Sequence, residues 1–250
     1  MKIGISIPTY NEVSNISKLL TAIKEELSNI HNLNTIVVVV DDNSPDGTGE
    51  AVLKASKKLD SNKFKVLLLS RSSKDGFGRA CVAGFKKLLK QDVQFVIQMD
   101  ADMSHDPAYL PVFVKASKNH DFVVASRYIK GGDTPDWSLT RRILSRYGNL
   151  YARTILSRSI SDYTGGFNMY SSTLLNNINL DTLHATGYGF LIELKFRAIQ
   201  LSDSLYQIPI IFKDRQHGKS KIPKSTLIKN LVLVPRIKIV SIKSNRKYRY

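Results

Sequence analysis

Two carboxylates stand two residues apart in Asp100-Ala101-Asp102, directly after the apolar run QFVIQM at 94–99. At a strand end, both can reach one divalent cation on the loop side. Oxygen donors suit Mg²⁺ or Mn²⁺, which keep several waters and bridge phosphates. Such an ion acts as a Lewis acid toward a departing nucleoside diphosphate. Asp-X-Asp also occurs in solvated, helix-capping loops, so its place after a strand carries the reading. Asp41 and Asp42 close a second run, TIVVVV at 35–40. A carboxylate there can accept hydrogen bonds from a base or ribose. Asn43, Ser44, Pro45, Asp46 and Gly47 are turn formers, and a turn would aim those carboxylates. His105 reads as a hydrogen-bonding loop histidine, since its oxygen-rich neighbours favour a hard metal. Gly76, Gly78 and Gly84 lack a Walker lysine and read as loop glycines. Cys81 reads as a small buried hydrophobe.

These residues need strands and helices in alternation to bring them together. IGISIP at 3–8, TIVVVV at 35–40, KVLLLS at 65–70, QFVIQM at 94–99 and DFVVAS at 121–126 read as strands. Val13, Ile16, Leu19, Leu20, Ile23, Leu27 and Ile30 recur at helical spacing over 13–30,. Further helices are expected from Asp46 or Thr48 to Leu59, over 77–90, and from Pro107 onward. Strands separated by helices give a mostly parallel sheet. Ligands of such sheets bind beyond the carboxyl ends of the strands. PTYNE, DDNSPDGT, RSSKDGFG, DADMSHDP and RYIKGG each follow a strand and would meet on one rim. Beyond them lie a helix at 139–157, a glycine- and aromatic-rich stretch at 162–170, a helix near 189–202 and a strand at 205–212.

The 250 residues suffice for one large domain, and 42% hydrophobic content implies a substantial core,. One cysteine excludes an internal disulfide. The amino terminus has no signal-like apolar region, and no window reaches the roughly 18 apolar residues of a membrane span. The net charge of +16 calls for an anionic partner,. Around the apolar stretch 227–240, the tail from 213 to 250 is cationic. It suits a membrane interface or a packed terminal element, with Pro235 breaking or kinking any helix there.

The ordered set IPTYNE, VDDNSPDGT, MDADMSHDP, SRYIKGG and FKDRQHGKSKIPK resembles the polyprenyl-phosphate mannosyltransferases, also called dolichol-phosphate mannose synthases. These are inverting GT-A glycosyltransferases of family two. The resemblance covers about residues 3–225. It implies a Rossmann-like α/β domain over 1–225, its mostly parallel sheet flanked by helices; the residues beyond it, 226–250, read by themselves as a basic amphipathic tail. Pro8, Tyr10 and Glu12 would line the nucleotide pocket, with Val40 and Asp42 at the base and ribose. Asp100, Ala101 and Asp102 would hold the diphosphate, and the two Asp the Mg²⁺ or Mn²⁺. Arg127, Arg215 and Lys221 would contact donor phosphates or sugar, and Arg141 the acceptor phosphate. Catalysis would rest on Asp102, Arg127 and Arg141. Ser104 stands where some relatives have a glutamine ligand, and Gly165-Gly166 where Ser-Gly is common. Some relatives also carry transmembrane helices after this domain.

The implied reaction moves a hexose, mannose from GDP-mannose, onto a polyprenyl phosphate with inversion. A phosphate acceptor is already anionic near neutral pH, so the absence of an obvious general base fits. The expected partners are the nucleotide-sugar donor, the polyprenyl phosphate and an anionic membrane surface on the cytosolic side. A membrane-anchoring subunit is also compatible. Another donor such as UDP-glucose, or a glycan acceptor, would need the same machinery. A nucleic-acid module would leave the carboxylate-rich loops unexplained, and a scaffold role would leave the Asp pair without a task.

Overall fold

A computed structural model describes residues 1–183, 185, 187–214 and 231–240. Seven strands form one sheet: β1 (Lys2–Thr9), β2 (Asn34–Asp41), β3 (Phe64–Ser70), β4 (Phe95–Gln98), β5 (Phe122–Ser126), β6 (Asn168–Ser171) and β7 (Leu205–Pro209). Their order is β3-β2-β1-β4-β6-β5-β7. β6 runs antiparallel to both β4 and β5, and the other pairings are parallel. The first five strands therefore end on one edge, as the polar clusters after them require. β6 falls in the stretch 162–170 and just past it, where no strand is expected. Its four residues, NMYS, are too few to show alternation,.

The helices are α1 (Val13–Ser28), α2 (Thr48–Leu59), α3 (Phe77–Leu89), α4 (Leu110–Ala116), α5 (Leu139–Ile155), α6 (Ser172–Asn177) and α7 (Tyr188–Leu201). Residues 231–240 are also helical and are designated α8. Pro107 opens a 3₁₀ turn ahead of α4, not the α-helix itself. Along β2, Ile36, Val38 and Val40 enter one core cluster while Val37 and Val39 enter the other. The β-branched run is thus buried on both faces, as a central parallel strand must be. One cluster takes Ile16, Leu19, Leu20 and Ile23 of α1 with Val52 of α2 and Leu110 of α4. The opposite one takes Phe85 of α3, Ala152 of α5, Leu174 of α6, Leu194 of α7 and Val234 of α8. Of the α1 positions expected inside, Val13 is exposed and Ile30 only half-buried.

Gly78 and Gly84 are not loop glycines. Both lie inside α3, where a Cβ on Gly84 would overlap Ser6 Oγ and one on Gly78 would sit 2.8 Å from Phe190. Their role is close helix packing. α8 contains Pro235 and continues through it. Proline removes the N–H that would bond the carbonyl four residues earlier. That carbonyl, on Leu231, accepts the Tyr151 hydroxyl of α5 at 2.7 Å.

Candidate active site

The first two loops of the rim are laced to each other through backbone N–H groups. Asn11 N donates to Ser44 Oγ at 2.9 Å, Glu12 N to Thr48 Oγ1 at 2.9 Å, and Val13 N to Asp46 Oδ2 at 3.1 Å. Asp46 thereby satisfies an orphan N–H at the start of α1 from a different loop. Pro8 is half-buried at the end of β1, and Tyr10 is exposed with Lys74 Nζ 3.5 Å above its ring. The Glu12 carboxylate accepts Asn15 Nδ2 at 2.9 Å. Val40 is fully buried, and Asp42 is buried in an ion pair with Arg71 Nη1 at 2.5 Å. Arg71 also reaches Asp75 at 3.2 Å. Neither Arg71 nor Lys74 is picked out by sequence reasoning, although both lie in the RSSKDGFG cluster. Their signal is two cations directly after a strand on a shared rim.

Beyond β4 the chain turns tightly about Asp102, whose Oδ1 accepts both Ser104 N and Ser104 Oγ. Asp102 and Ser104 are buried, Ala101 is buried in the core, and the Asp100 side chain is 31% exposed. Asp100 N–H donates to His105 Nδ1 at 2.9 Å. Burial pushes the His105 pKa down to about 4, helped by Arg127 and Lys195 and opposed by the Asp102 carboxylate. The ring is neutral, so its one proton sits on Nε2, and neither nitrogen offers a lone pair to a metal. The Asp100, Asp102 and Ser104 donors are all oxygen. That chemistry fits a hard divalent cation such as Mg²⁺ or Mn²⁺. Gly166 faces this turn, and a Cβ there would stand 3.4 Å from Asp100 Oδ1 and 3.3 Å from His105 Cε1.

Behind Gly166 lies a buried charge network. Arg127 Nε and Nη2 grip the two Asp162 oxygens at 2.7 Å each, and Nη2 also reaches Thr164 Oγ1 at 2.8 Å. Lys195 Nζ of α7 donates to the Asp162 carbonyl at 2.7 Å. Asp162 and Lys195 are wholly buried and Arg127 nearly so. Burial drives the Asp162 pKa up, but Arg127 and Lys195 more than offset it and hold the carboxyl well below the ordinary range. Burial likewise brings Lys195 down to about 7, with Asp162 opposing the fall. The Arg127 fork, expected at donor phosphates or sugar, is turned inward onto Asp162. Sequence reasoning misses Asp162 and Lys195. The available signal for Lys195 is a cation flanked by Leu194 and Phe196 within the mainly apolar helix FLIELKFRAI, whose other charges, Glu193 and Arg197, stand at i, i+4 spacing.

Arg141 stands in the first turn of α5. Its guanidinium lies 3.9 Å from the Trp137 ring centroid, and Nη1 reaches the Asp214 oxygens at 3.1 and 3.2 Å. Asn149 of the same helix accepts Tyr163 N at 2.7 Å and donates to Thr164 Oγ1 at 3.2 Å, tying α5 to the Asp162 turn. Leu139, Ile143, Tyr147 and Leu150 form one ridge on α5 and are 45–72% exposed,. Arg215 and Lys221 lie outside the described residues, as do residues 226–230 and 241–250 of the expected tail.

A mostly parallel-sheet domain with nucleotide-type loops on one rim and an oxygen-donor turn after β4 is the architecture of nucleotide-sugar transferases of the GT-A type. The fold is shared with glucosyl-3-phosphoglycerate synthase of Mycobacterium tuberculosis, solved with UDP, at a TM-score of 0.62 and 18% identity, over 94% of this chain and 80% of that one. Mannosyl-3-phosphoglycerate synthase from Rubrobacter xylanophilus gives 0.62 at 15% identity, over 100% of this chain and 76% of that one.

The glycosyl transferase family 2 model matches residues 5–178, and the chain belongs to that family and is a glycosyltransferase. It is 35% identical to the undecaprenyl-phosphate mannosyltransferase of Micrococcus luteus, over 94% of this chain and 93% of that protein. It is also 35% identical to the polyprenol monophosphomannose synthase of Mycolicibacterium smegmatis, over 89% of this chain and 82% of that protein.

Proposed function

We propose that this enzyme transfers mannose from GDP-mannose to a polyprenyl phosphate, with inversion, at a membrane surface. The observation that carries the reading is the near full-length similarity to two mannosyltransferases named for polyprenyl acceptors. The site geometry supports it. Asp100 and Asp102 are the residues that would hold Mg²⁺ or Mn²⁺, and the bound ion supplies Lewis-acid stabilisation of the leaving diphosphate. Pro8, Tyr10, Glu12, Val40 and Asp42 form the nucleotide side, where Asp42 accepts from the base or ribose with Arg71 fixing its orientation. Arg215 and Lys221 answer the donor phosphates from the segment after Asp214.

Arg127 holds the Asp162–Gly166 wall against Asp100, so its effect on the reaction passes through position. Arg141 receives the acceptor phosphate, whose oxygen attacks the anomeric carbon with no prior deprotonation. Alignment and cationic stabilisation are then the enzyme's main contributions. α5 carries the exposed apolar ridge Leu139, Ile143, Tyr147 and Leu150, and α8 adds exposed Leu231, Val232, Ile239 and Val240. Apolar surface next to so many cations suits the lipid part of the acceptor and an anionic leaflet. No helix among the described residues is long and apolar enough to cross a membrane. A cytosolic-face location and a membrane-anchoring partner remain parts of this proposal.

The test is transfer of label from GDP-mannose to a short polyprenyl phosphate, with and without Mn²⁺ or Mg²⁺. Lipid-extractable label that disappears with EDTA and returns with metal is the expected result. Label from UDP-glucose alone would change the donor and keep the site. Label unaffected by chelation would remove the metal from the mechanism.

A further inference from the structure

Arg141 is held on two sides. Its guanidinium stacks over Trp137 at 3.9 Å, and among the described residues its edge contacts Asp214 through Nη1. The platform beneath it is fixed. Trp137 N donates to Thr134 O at 3.2 Å, and the ring meets Phe212 edge-on at 5.5 Å. Asp133 N donates to Ile210 O, Phe212 N to Asp133 O, and Asp214 N to Asp136 Oδ2, so the loop is zipped to the chain after β7.

Trp137 is 8% exposed, and its buried indole N–H meets no acceptor among the described residues. A phenylalanine would fill a core position without that unmet donor, whose burial is unfavourable. What tryptophan adds is the most negative aromatic face available to a guanidinium.

We propose that Trp137 is a positioning residue for the acceptor phosphate: its face holds the Arg141 fork in one plane, with the guanidinium nitrogens beyond Nη1 turned to the phosphate. This rests on the reading that Arg141 meets the acceptor. A pre-set arginine loses less rotamer freedom on binding, and a phosphate approaching the guanidinium edge does not compete with stacking on its face. Trp137 is also the chain's single tryptophan, so fluorescence excited selectively at tryptophan, beyond the tyrosine absorption band, reports on this site.

The experiment combines steady-state kinetics with fluorescence on the full chain. Trp137→Leu is expected to raise the acceptor KM about fivefold, with kcat and donor KM within about twofold, and Trp137→Phe to raise it about twofold. The double variant with Arg141→Gln should be no worse than Arg141→Gln alone. Wild-type fluorescence should change saturably with farnesyl phosphate but not with farnesol, and Arg141→Gln should abolish the change. Additive effects in the double variant, or equal shifts in donor KM, would reduce Trp137 to packing. A fluorescence response that farnesol reproduces would overturn the phosphate assignment without any variant having to fold. An unchanged acceptor KM in Arg141→Gln would instead refute the Arg141 reading, and the inference with it.

Discussion

Asp100 gives its backbone N–H to Nδ1 of His105 at 2.9 Å, and the ring that receives it is stacked on Phe167 at 5.0 Å. The start of the acidic turn is therefore held by a neutral imidazole packed in the core. His105→Phe keeps the stacking but leaves a partly buried N–H without its acceptor. The expected results are a loss of about 1–3 kcal/mol in unfolding free energy and about a tenfold fall in kcat. Urea denaturation and turnover measured on one preparation check both. Unchanged kcat would mean that the turn holds its shape without the histidine.

Asp102 is the pivot of that turn. Asp102→Ala is expected to abolish turnover, and Asp102→Asn, which keeps an acceptor for Ser104, to lower it at least about a hundredfold. Mn²⁺ binding followed by electron paramagnetic resonance should weaken in parallel. Full activity in Asp102→Ala would end the metal assignment.

Lys195 supplies a pH test. Its folded pKa, near 7, lies below the ordinary lysine value near 10.4,. Folding therefore competes with protonation. The penalty is absent above the unfolded pKa, grows as pH falls toward 7, and is complete below it. Lys195→Met removes the charge and keeps the length. Its stability relative to wild type should rise from pH 10 to pH 6, while kcat falls because the Asp162 carbonyl loses its anchor. Parallel denaturation midpoints at the two pH values decide it. A constant difference would mean that Lys195 does not titrate in this window.

Asp214 is the counter-ion of Arg141, with the carboxylate 43% exposed. Asp214→Asn removes a negative charge next to the site proposed for a dianionic phosphate. The acceptor KM should fall about two- to fivefold at low salt, and the gain should shrink at high salt. A rise in KM would assign Asp214 to orienting the arginine.

Tyr151 and Leu231 join α5 to α8. Tyr151→Phe leaves the Leu231 carbonyl without the hydroxyl that replaces the N–H missing at Pro235. Amide exchange across 231–240 should quicken by about three- to tenfold, corresponding to about 1 kcal/mol of local stability. Exchange unchanged there would show that water serves the carbonyl equally well.

The sequence alone carries the order of the first five strands and the helices between them. β-branched runs and 3.6-residue spacing are local signals, and each polar cluster directly follows its strand. It also carries the Asp100-Ala101-Asp102 turn and the family resemblance, because contiguous residues form those motifs. β6 is not legible: four residues with a buried asparagine show no period, and only pairing with β4 and β5 makes them a strand. Nor are the partners of Arg127 and Arg141. Asp162 lies 35 residues from Arg127 and Asp214 73 residues from Arg141, and no local pattern links such distances. The sequence thus determines the first five strands and which loops carry chemistry, since these follow from neighbouring residues. Only the tertiary structure decides that Arg127 faces inward, that Arg141 rests on Trp137, and that Tyr151 serves the carbonyl freed by Pro235. Each of these depends on a partner brought close by packing of the whole sheet.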